Sequence, residues 1–229
     1  MPAASLPLAA AILDLDGTLV DTLGDFAAAL NVMLRALRLP AVDGASVARF
    51  IGKGSEHLIR QTLAQVDAPA ELYPEAWDRY QAAYRELNGR QATVYAGVPE
   101  GLDALRAMGL QLACLTNKPT EFARALLEMK GLASRFEAVF GGDAFERKKP
   151  DPLPLLKTCE ALGTVPATTV MIGDSRNDAA AARAAGCPVV LVTYGYNHGE
   201  PARAVPADGH LDSLAGIGAL LRALRPLRA

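Results

Sequence analysis

The sequence predicts an α/β fold, a parallel sheet covered by helices and interrupted by one all-helical insertion. Three observations carry this expectation. Short, apolar, β-rich runs recur along the chain, and helical periodicity fills the intervals between them. One long interval holds helices alone.

The first run is Ala9–Leu13. The residues before it lack a basic region, and the run leads into two aspartates rather than a cleavage site. It is therefore read as a strand, not a secretory leader. From about Thr22 to Leu87 no strand pattern occurs. Leu23, Phe26, Leu30, Met33, Leu34 and Leu37 keep helical spacing, as do Leu58, Ile59, Thr62, Leu63 and Val66. Tyr73, Ala76, Trp77, Tyr80, Tyr84 and Leu87 form a third stripe. Such stripes are the buried faces of helices, so this block predicts a second, smaller unit. Its junctions fall near Val20 and near residues 88–96, where Gly89 and Gly97 punctuate the chain. The expected division is a core of residues 1–20 and 90–229 and a helical unit of residues 21–89.

The remaining strands are expected at Leu110–Leu115, Thr169–Ile172 and Val189–Thr193. Runs this continuously apolar suit strands buried on both faces of a parallel sheet. Helices are expected at about Glu100–Met108, Glu121–Met129, Leu153–Leu162 and Asn177–Ala185. Alternation of this kind places helices on both faces, which makes the core Rossmann-like and doubly wound.

Composition narrows the function classes. The chain has 229 residues, of which 51% are hydrophobic and 21% charged, so it is neither disordered nor short of core material. Its 23 basic and 25 acidic side chains leave a net charge of −2, which argues against coating nucleic acid or an anionic membrane. No apolar run reaches the roughly 18 residues of a membrane span. Cys114, Cys159 and Cys187 are widely spaced, without a C-x-x-C pair, which fits a reducing cytoplasm rather than a disulfide framework.

Chemistry concentrates where strands are expected to end. Asp14 and Asp16, in Leu13-Asp14-Leu15-Asp16-Gly17-Thr18-Leu19-Val20-Asp21, sit two apart, so an extended chain points both to one face. At the carboxyl end of a parallel strand that face opens onto the crevice where such sheets bind ligands. Two like charges there need a cation or a shared proton. A solvated turn would look the same in isolation. Gly173-Asp174-Ser175-Arg176-Asn177-Asp178 follows another strand. Asp178 then falls in the first turn of a helix, where negative charge is favoured in any case. Carboxylates converging from two strand ends make a hard oxygen site suited to Mg²⁺.

Two further strand ends offer phosphate binders. Thr116 and Asn117, in Thr116-Asn117-Lys118-Pro119, supply a hydroxyl and backbone N–H groups, although a capped turn has the same composition. Lys149, in Lys148-Lys149-Pro150-Asp151-Pro152, precedes a proline, which restricts its backbone to extended conformations and aims its side chain.

Taken in order, these four elements resemble the haloacid dehalogenase superfamily of phosphotransferases, and the resemblance spans nearly the whole chain. The helical block looks like the cap of one major subgroup. Within it the sequence is most similar to bacterial phosphatases of 2-phosphoglycolate, through Ile51-Gly52-Lys53-Gly54, Gly141-Gly142-Asp143, Ala185-Gly186-Cys187-Pro188 and Thr193-Tyr194-Gly195-Tyr196-Asn197-His198-Gly199. The resemblance implies Asp14 as the nucleophile that forms an aspartyl-phosphate and Asp16 as general acid and base. It implies Thr116 as the phosphate-binding hydroxyl, with Asn117 beside it, and Lys149 as the lysine that pairs the phosphoryl charge. Asp174 is implied as a Mg²⁺ ligand with the Asp14 carboxylate and the Asp16 carbonyl, and Asp178 as a supporting metal residue.

The substrate implied is a small phosphate ester. Lys53, in a glycine-flanked turn before a helix, is the candidate for its carboxylate end. Pyrophosphate or another small ester, a sugar phosphomutase, a dehalogenase and an inactive binding module are the competing readings. A dehalogenase has no use for an acid at Asp16. The expected assembly is a monomer or homodimer. No G-x-x-x-x-G-K-[ST] loop, G-x-S-x-G elbow or H-E-x-x-H pair occurs, which sets aside three other enzyme classes.

Overall fold

Ala10–Leu13 (β1) is apolar at every position, and every residue is buried. That pattern suits a strand covered on both faces. In this structure, a computed structural model, residues 7–224 are described. The outer ends of the expected core, residues 1–6 and 225–229, lie outside the described residues.

The elements follow in chain order. Val20–Asp21 (β2) leads into helices Leu23–Ala36 (α1), Gly44–Phe50 (α2), Ser55–Gln65 (α3) and Tyr73–Leu87 (α4). Thr93–Val94 (β3) returns the chain to helix Val98–Ala107 (α5). Then come Gln111–Leu115 (β4), Thr120–Met129 (α6), Ala138–Phe140 (β5), Leu153–Ala161 (α7), Thr169–Gly173 (β6) and Arg176–Ala185 (α8). Val189–Val192 (β7), Gly209–Leu211 (β8) and Ile217–Leu224 (α9) complete the described chain. Among the described residues, no helix is long and apolar enough to cross a membrane.

Six strands form one parallel sheet in the order β5-β4-β1-β6-β7-β8. Side chains alternate between its faces. Ala11 and Leu13 of β1 join a cluster with Leu102 and Leu105 of α5, Leu126 of α6 and Ile217 of α9. Ile12 joins Leu155 of α7, Ala181 of α8, Met171 and Leu191 in another. Helices thus cover both faces, as the alternation of runs predicts.

The edges differ from the sequence expectation, which had only the four strands β1, β4, β6 and β7. Strands β5 and β8 are three residues each and only half-buried, so neither shows the continuous apolar run of a central strand. Two-residue β2 and β3 pair antiparallel, Val20 with Val94 and Asp21 with Thr93, where the chain leaves for and returns from the helical block.

Helices α1, α3 and α4 pack around their own cluster, built on Phe26, Leu30, Met33, Ile59, Tyr80 and Tyr84. Phe122 of α6 and Tyr196, after β7, reach into it from the sheet side. Tyr84 stacks on Phe26 and Tyr80 at 5.2 and 5.4 Å and meets Phe122 edge-on at 5.0 Å.

Register decides where the strands stop. Leu13 lies opposite Cys114 of β4 and Ile172 of β6. Asp14, Thr116 and Asp174 therefore emerge within a residue or two of one another, at the carboxyl edge below the helical block.

Candidate active site

Asp14 is the first residue past β1. Its N–H donates to the Ile172 carbonyl at 2.9 Å, and its Oδ1 accepts the Leu15 N–H at 2.7 Å. The chain then turns at Gly17, whose φ of +83° lies in the left-handed region. A Cβ there would fall 2.2 Å from Asp174 Oδ2, so a side chain is excluded on two counts. The next residue uses the closeness: Thr18 Oγ1 donates to Asp174 Oδ1 at 3.0 Å. Asp174 Oδ2 accepts the Tyr196 N–H at 2.5 Å.

Asp178 sits in the first turn of α8 and is wholly buried. Its Oδ2 accepts the Ser175 N–H at 3.1 Å and the Ser175 hydroxyl at 2.7 Å. Capping is thus part of its role, as helix-dipole reasoning anticipates. Its other oxygen does something else. Asp178 Oδ1 accepts a 2.7 Å bond from Lys149 Nζ, and the same ammonium lies 3.1 Å from Asp14 Oδ1 and donates to the Leu115 carbonyl at 2.8 Å.

One oxygen from each of Asp14, Asp174 and Asp178 lies within 4.8 Å of the others. Burial raises the Asp14 carboxyl to about 7 despite Lys149, with Asp178 and Asp16 adding to the rise. Burial likewise holds Asp174 well above the carboxylate range, reinforced by Asp178 and Asp14. Burial alone would pull Lys149 down, but Asp14 and Asp178 outweigh it and keep the ammonium charged. Three carboxyls are buried together here and the lysine pairs with only two of them, Asp14 and Asp178, which leaves negative charge unbalanced. That donor set fits a hard divalent cation such as Mg²⁺.

Asp16 is not one of these three clustered carboxyls. Its Oδ1 pairs with Lys118 Nζ at 2.9 Å, and it borders a cavity that Asp14 also lines. That cavity lies between the strand ends and the helical block. Asp14, Asp16, Thr116, Asn117, Lys118, Gly52, Ser55, Phe26 and Tyr84 are among its lining residues. It encloses about 20 Å³, enough for roughly one water.

The other expected residues are placed unequally. Thr116 follows β4, lines the cavity and accepts the Lys118 N–H at 3.3 Å. Asn117 also lines it, but its Nδ2 donates to the Gly52 carbonyl at 2.9 Å and the Lys149 carbonyl at 2.8 Å. Its amide therefore braces two loops. Lys53 is exposed and borders an open cleft with His57, Arg60, Lys148 and Lys149. Its neighbours Gly52 and Gly54, not its side chain, reach the enclosed cavity.

Sequence reasoning singled out neither Lys118 nor Tyr84 as a site residue. Lys118 stands inside the Thr-Asn-Lys-Pro element, and that position was its only signal. Its burial depends on Tyr84 and Phe26, far away in sequence. The loop after β7 is a further addition. The Tyr194 hydroxyl donates to the Thr18 carbonyl at 2.8 Å, and the Tyr196 hydroxyl accepts the Thr22 and Leu23 N–H groups while donating to Asp21. His198 faces the Arg49 carbonyl at 3.3 Å and Asn177 Nδ2 at 3.4 Å, tying that loop to α2.

Fold and site together define a class: doubly wound α/β proteins with an acidic, lysine-bearing centre beyond the carboxyl ends of their strands. The chain belongs to the haloacid dehalogenase-like hydrolase family, which it matches over residues 11–192. It is 43% identical over 213 residues to the phosphoglycolate phosphatase of Thiobacillus denitrificans, covering 92% of this chain and 94% of that one. Identity to a plasmid-encoded phosphoglycolate phosphatase of Cupriavidus necator is 45% over 227 residues, 98% of each chain. The crystal structure of a predicted phosphoglycolate phosphatase from Haemophilus somnus superposes with a TM-score of 0.87 at 33% identity, covering 92% of this chain and 96% of that one.

Proposed function

We propose that the protein is a Mg²⁺-dependent phosphatase that hydrolyses 2-phosphoglycolate to glycolate and inorganic phosphate. The observation that carries this reading is the buried Asp14–Lys149–Asp178 group beside Thr116 and Asp174. The phosphoglycolate phosphatases it resembles across nearly its full length support the choice of substrate.

Asp14 is the proposed nucleophile. Its carboxylate oxygen bonds to phosphorus as the ester P–O bond breaks, and Asp16 gives a proton to the departing glycolate oxygen. Asp16 then takes a proton from water. The water oxygen bonds to phosphorus, the aspartyl P–O bond breaks, and phosphate is released. Lys149 and the Thr116 hydroxyl hold the phosphoryl oxygens throughout. Asp14, Asp174, Asp178 and the Asp16 carbonyl would hold Mg²⁺. When bound, the ion supplies positive charge that offsets repulsion between Asp14 and the phosphoryl group.

Residues 21–89 are proposed to act as a cap over a core of residues 1–20 and 90–229. Support comes from the separate cluster around α1, α3 and α4, and from a cavity too small for the substrate. The cap must swing open to admit ligand, and closure excludes water. A cytoplasmic setting is part of the same proposal, on the grounds of three free, buried cysteines.

The test is phosphate release from 2-phosphoglycolate, pyrophosphate, glucose 1-phosphate and an aryl phosphate, each with Mg²⁺, with chelator and with Asp14→Asn. The highest kcat/KM is expected for 2-phosphoglycolate, lost in both controls. A clear preference for another ester would move the substrate, and phosphate transfer to a sugar would replace hydrolysis with mutase chemistry.

A further inference from the structure

A second cation faces the cavity, and the phosphoryl-binding scheme does not use it. The Lys118 side chain is 1% exposed, yet Nζ pairs with a single carboxylate, Asp16 at 2.9 Å. Its other hydrogen bond goes to the Tyr84 hydroxyl at 2.5 Å. An ammonium has three donors. Among the described residues no protein acceptor takes the third. The charge also rests over aromatic rings, 4.4 Å from the Phe26 centroid and 4.8 Å from that of Tyr84. These contacts hold Nζ at the cavity wall, since Lys118, Tyr84 and Phe26 all line it.

Tyr84 is in a complementary position. Its oxygen accepts from Lys118, so its own proton is available. Burial, then the nearby Asp16, pushes its pKa well up, and the group stays a hydroxyl. No acceptor for that proton is found among the described residues. Two adjacent donors thus border one cavity, beside Asp16.

That is where the leaving group departs. Asp16 protonates the leaving oxygen in the proposed mechanism, and in 2-phosphoglycolate one methylene separates that oxygen from the carboxylate. A group bonded to Asp16 is therefore within reach of the carboxylate. In the same mechanism the phosphoryl oxygens are held by Lys149 and Thr116, which leaves Lys118 and Tyr84 for the rest of the substrate. Lys53, the candidate from sequence, is exposed and borders an open cleft that reaches Lys149 rather than Lys118.

We infer that Lys118, together with the Tyr84 hydroxyl, binds the carboxylate of the leaving group and sets the preference for short anionic phosphate esters. This rests on the phosphatase reading above. A neutral leaving group brings nothing to this corner, whereas a carboxylate completes the ammonium's coordination and adds a charge-assisted bond. Phe26 and Leu58 close the space around it.

The experiment compares 2-phosphoglycolate with ethyl phosphate, which is close in size but has no carboxylate. For the wild type, kcat/KM is expected to favour 2-phosphoglycolate by about 10- to 100-fold, the range for a hydrogen bond to a charged group. In Lys118→Met that ratio should collapse to about 3 or less, mainly through KM. Tyr84→Phe keeps the ring stack but removes the donor, and the ratio should fall part of the way. As a readout apart from turnover, glycolate should inhibit the wild type but no longer Lys118→Met, while inhibition by inorganic phosphate persists in both. An equal loss of kcat on both esters, with the ratio and glycolate inhibition intact, would overturn the inference and leave Lys118 as a support for Asp16. If the wild type requires Asp14 yet treats both esters alike, the phosphoglycolate reading falls and this assignment falls with it. Should Lys118→Met fail to fold, an unchanged ratio in Tyr84→Phe together with no glycolate inhibition of the wild type would be decisive against it.

Discussion

Lys149 Nζ donates to Asp178 Oδ1 at 2.7 Å across 29 residues of chain, with side-chain exposures of 1% and 0%. The same nitrogen lies 3.1 Å from Asp14. Two carboxylates thus depend on one buried cation. Removing one partner from a buried pair leaves charge uncompensated, at a cost of about 3–5 kcal/mol. Lys149→Met is expected to lose activity by about three orders of magnitude or more and to unfold at lower denaturant. Saturating Mg²⁺ should recover part of that stability, because the cation is bound by the native state alone. Urea unfolding with Mg²⁺ and with chelator checks this. No recovery would place the ion elsewhere.

The Asp14 carboxyl, raised from 3.8 to about 7 chiefly by burial, makes a pH prediction. Between those values the native state holds a proton that the unfolded chain has released. Stability from this group is full below about pH 4 and is lost as pH rises to about 7. The metal-free wild type should therefore lose stability across that window relative to Asp14→Asn, which has no such proton. Denaturation of both in chelator at pH 5 and pH 7.5 measures the difference. A gap that does not widen with pH would contradict the assignment.

Gly195 approaches Asp174 as closely as Gly17 does. A Cβ at Gly195 would lie 2.3 Å from Asp174 Cβ and 2.3 Å from the Gly17 carbonyl. Backbone has no room to yield there, so Gly195→Ala must displace the Asp174 carboxylate. We expect Mg²⁺ affinity and kcat/KM to fall by about 10- to 100-fold, as when a group that orients a metal ligand is disturbed. Calorimetric titration of Mg²⁺ into wild type and variant tests it. Equal affinities would remove Asp174 from the metal set.

Asp25 of α1 is fully buried and bonds no lysine. Its oxygens accept the Gly89 N–H at 2.6 Å and the Gln91 N–H at 2.7 Å, clamping α1 to the turn that leads from α4 to β3. Asp25→Ala would orphan both donors, at about 1–3 kcal/mol each. The expected loss is about 2–4 kcal/mol by urea denaturation, with the greatest effect on packing between helical block and sheet. A loss under about 0.5 kcal/mol would mean water replaces the carboxylate.

Much of the site was legible because it lies at strand ends. Asp14, Thr116 and Asp174 each follow a run apolar enough to be a buried strand, and parallel register does the rest. Lys118 was not legible as a site residue. In a local window it reads as a turn lysine, and its burial depends on rings from α1 and α4. Asp25 was hidden likewise, because a lone aspartate in an amphipathic helix reads as solvated. Strands β5 and β8 escaped because short, half-buried edges have no apolar run to detect.

Local pattern by itself determined the α/β class, the helical insertion and the order of the acidic and lysine elements. These depend on hydrophobic period and turn chemistry, which neighbouring residues express. Tertiary structure alone decided which charges meet: Lys149 with Asp14 and Asp178, Lys118 with Asp16 and Tyr84. Those pairings span large sequence separations. Their energies depend on desolvation, and burial of that kind exists only in the folded chain.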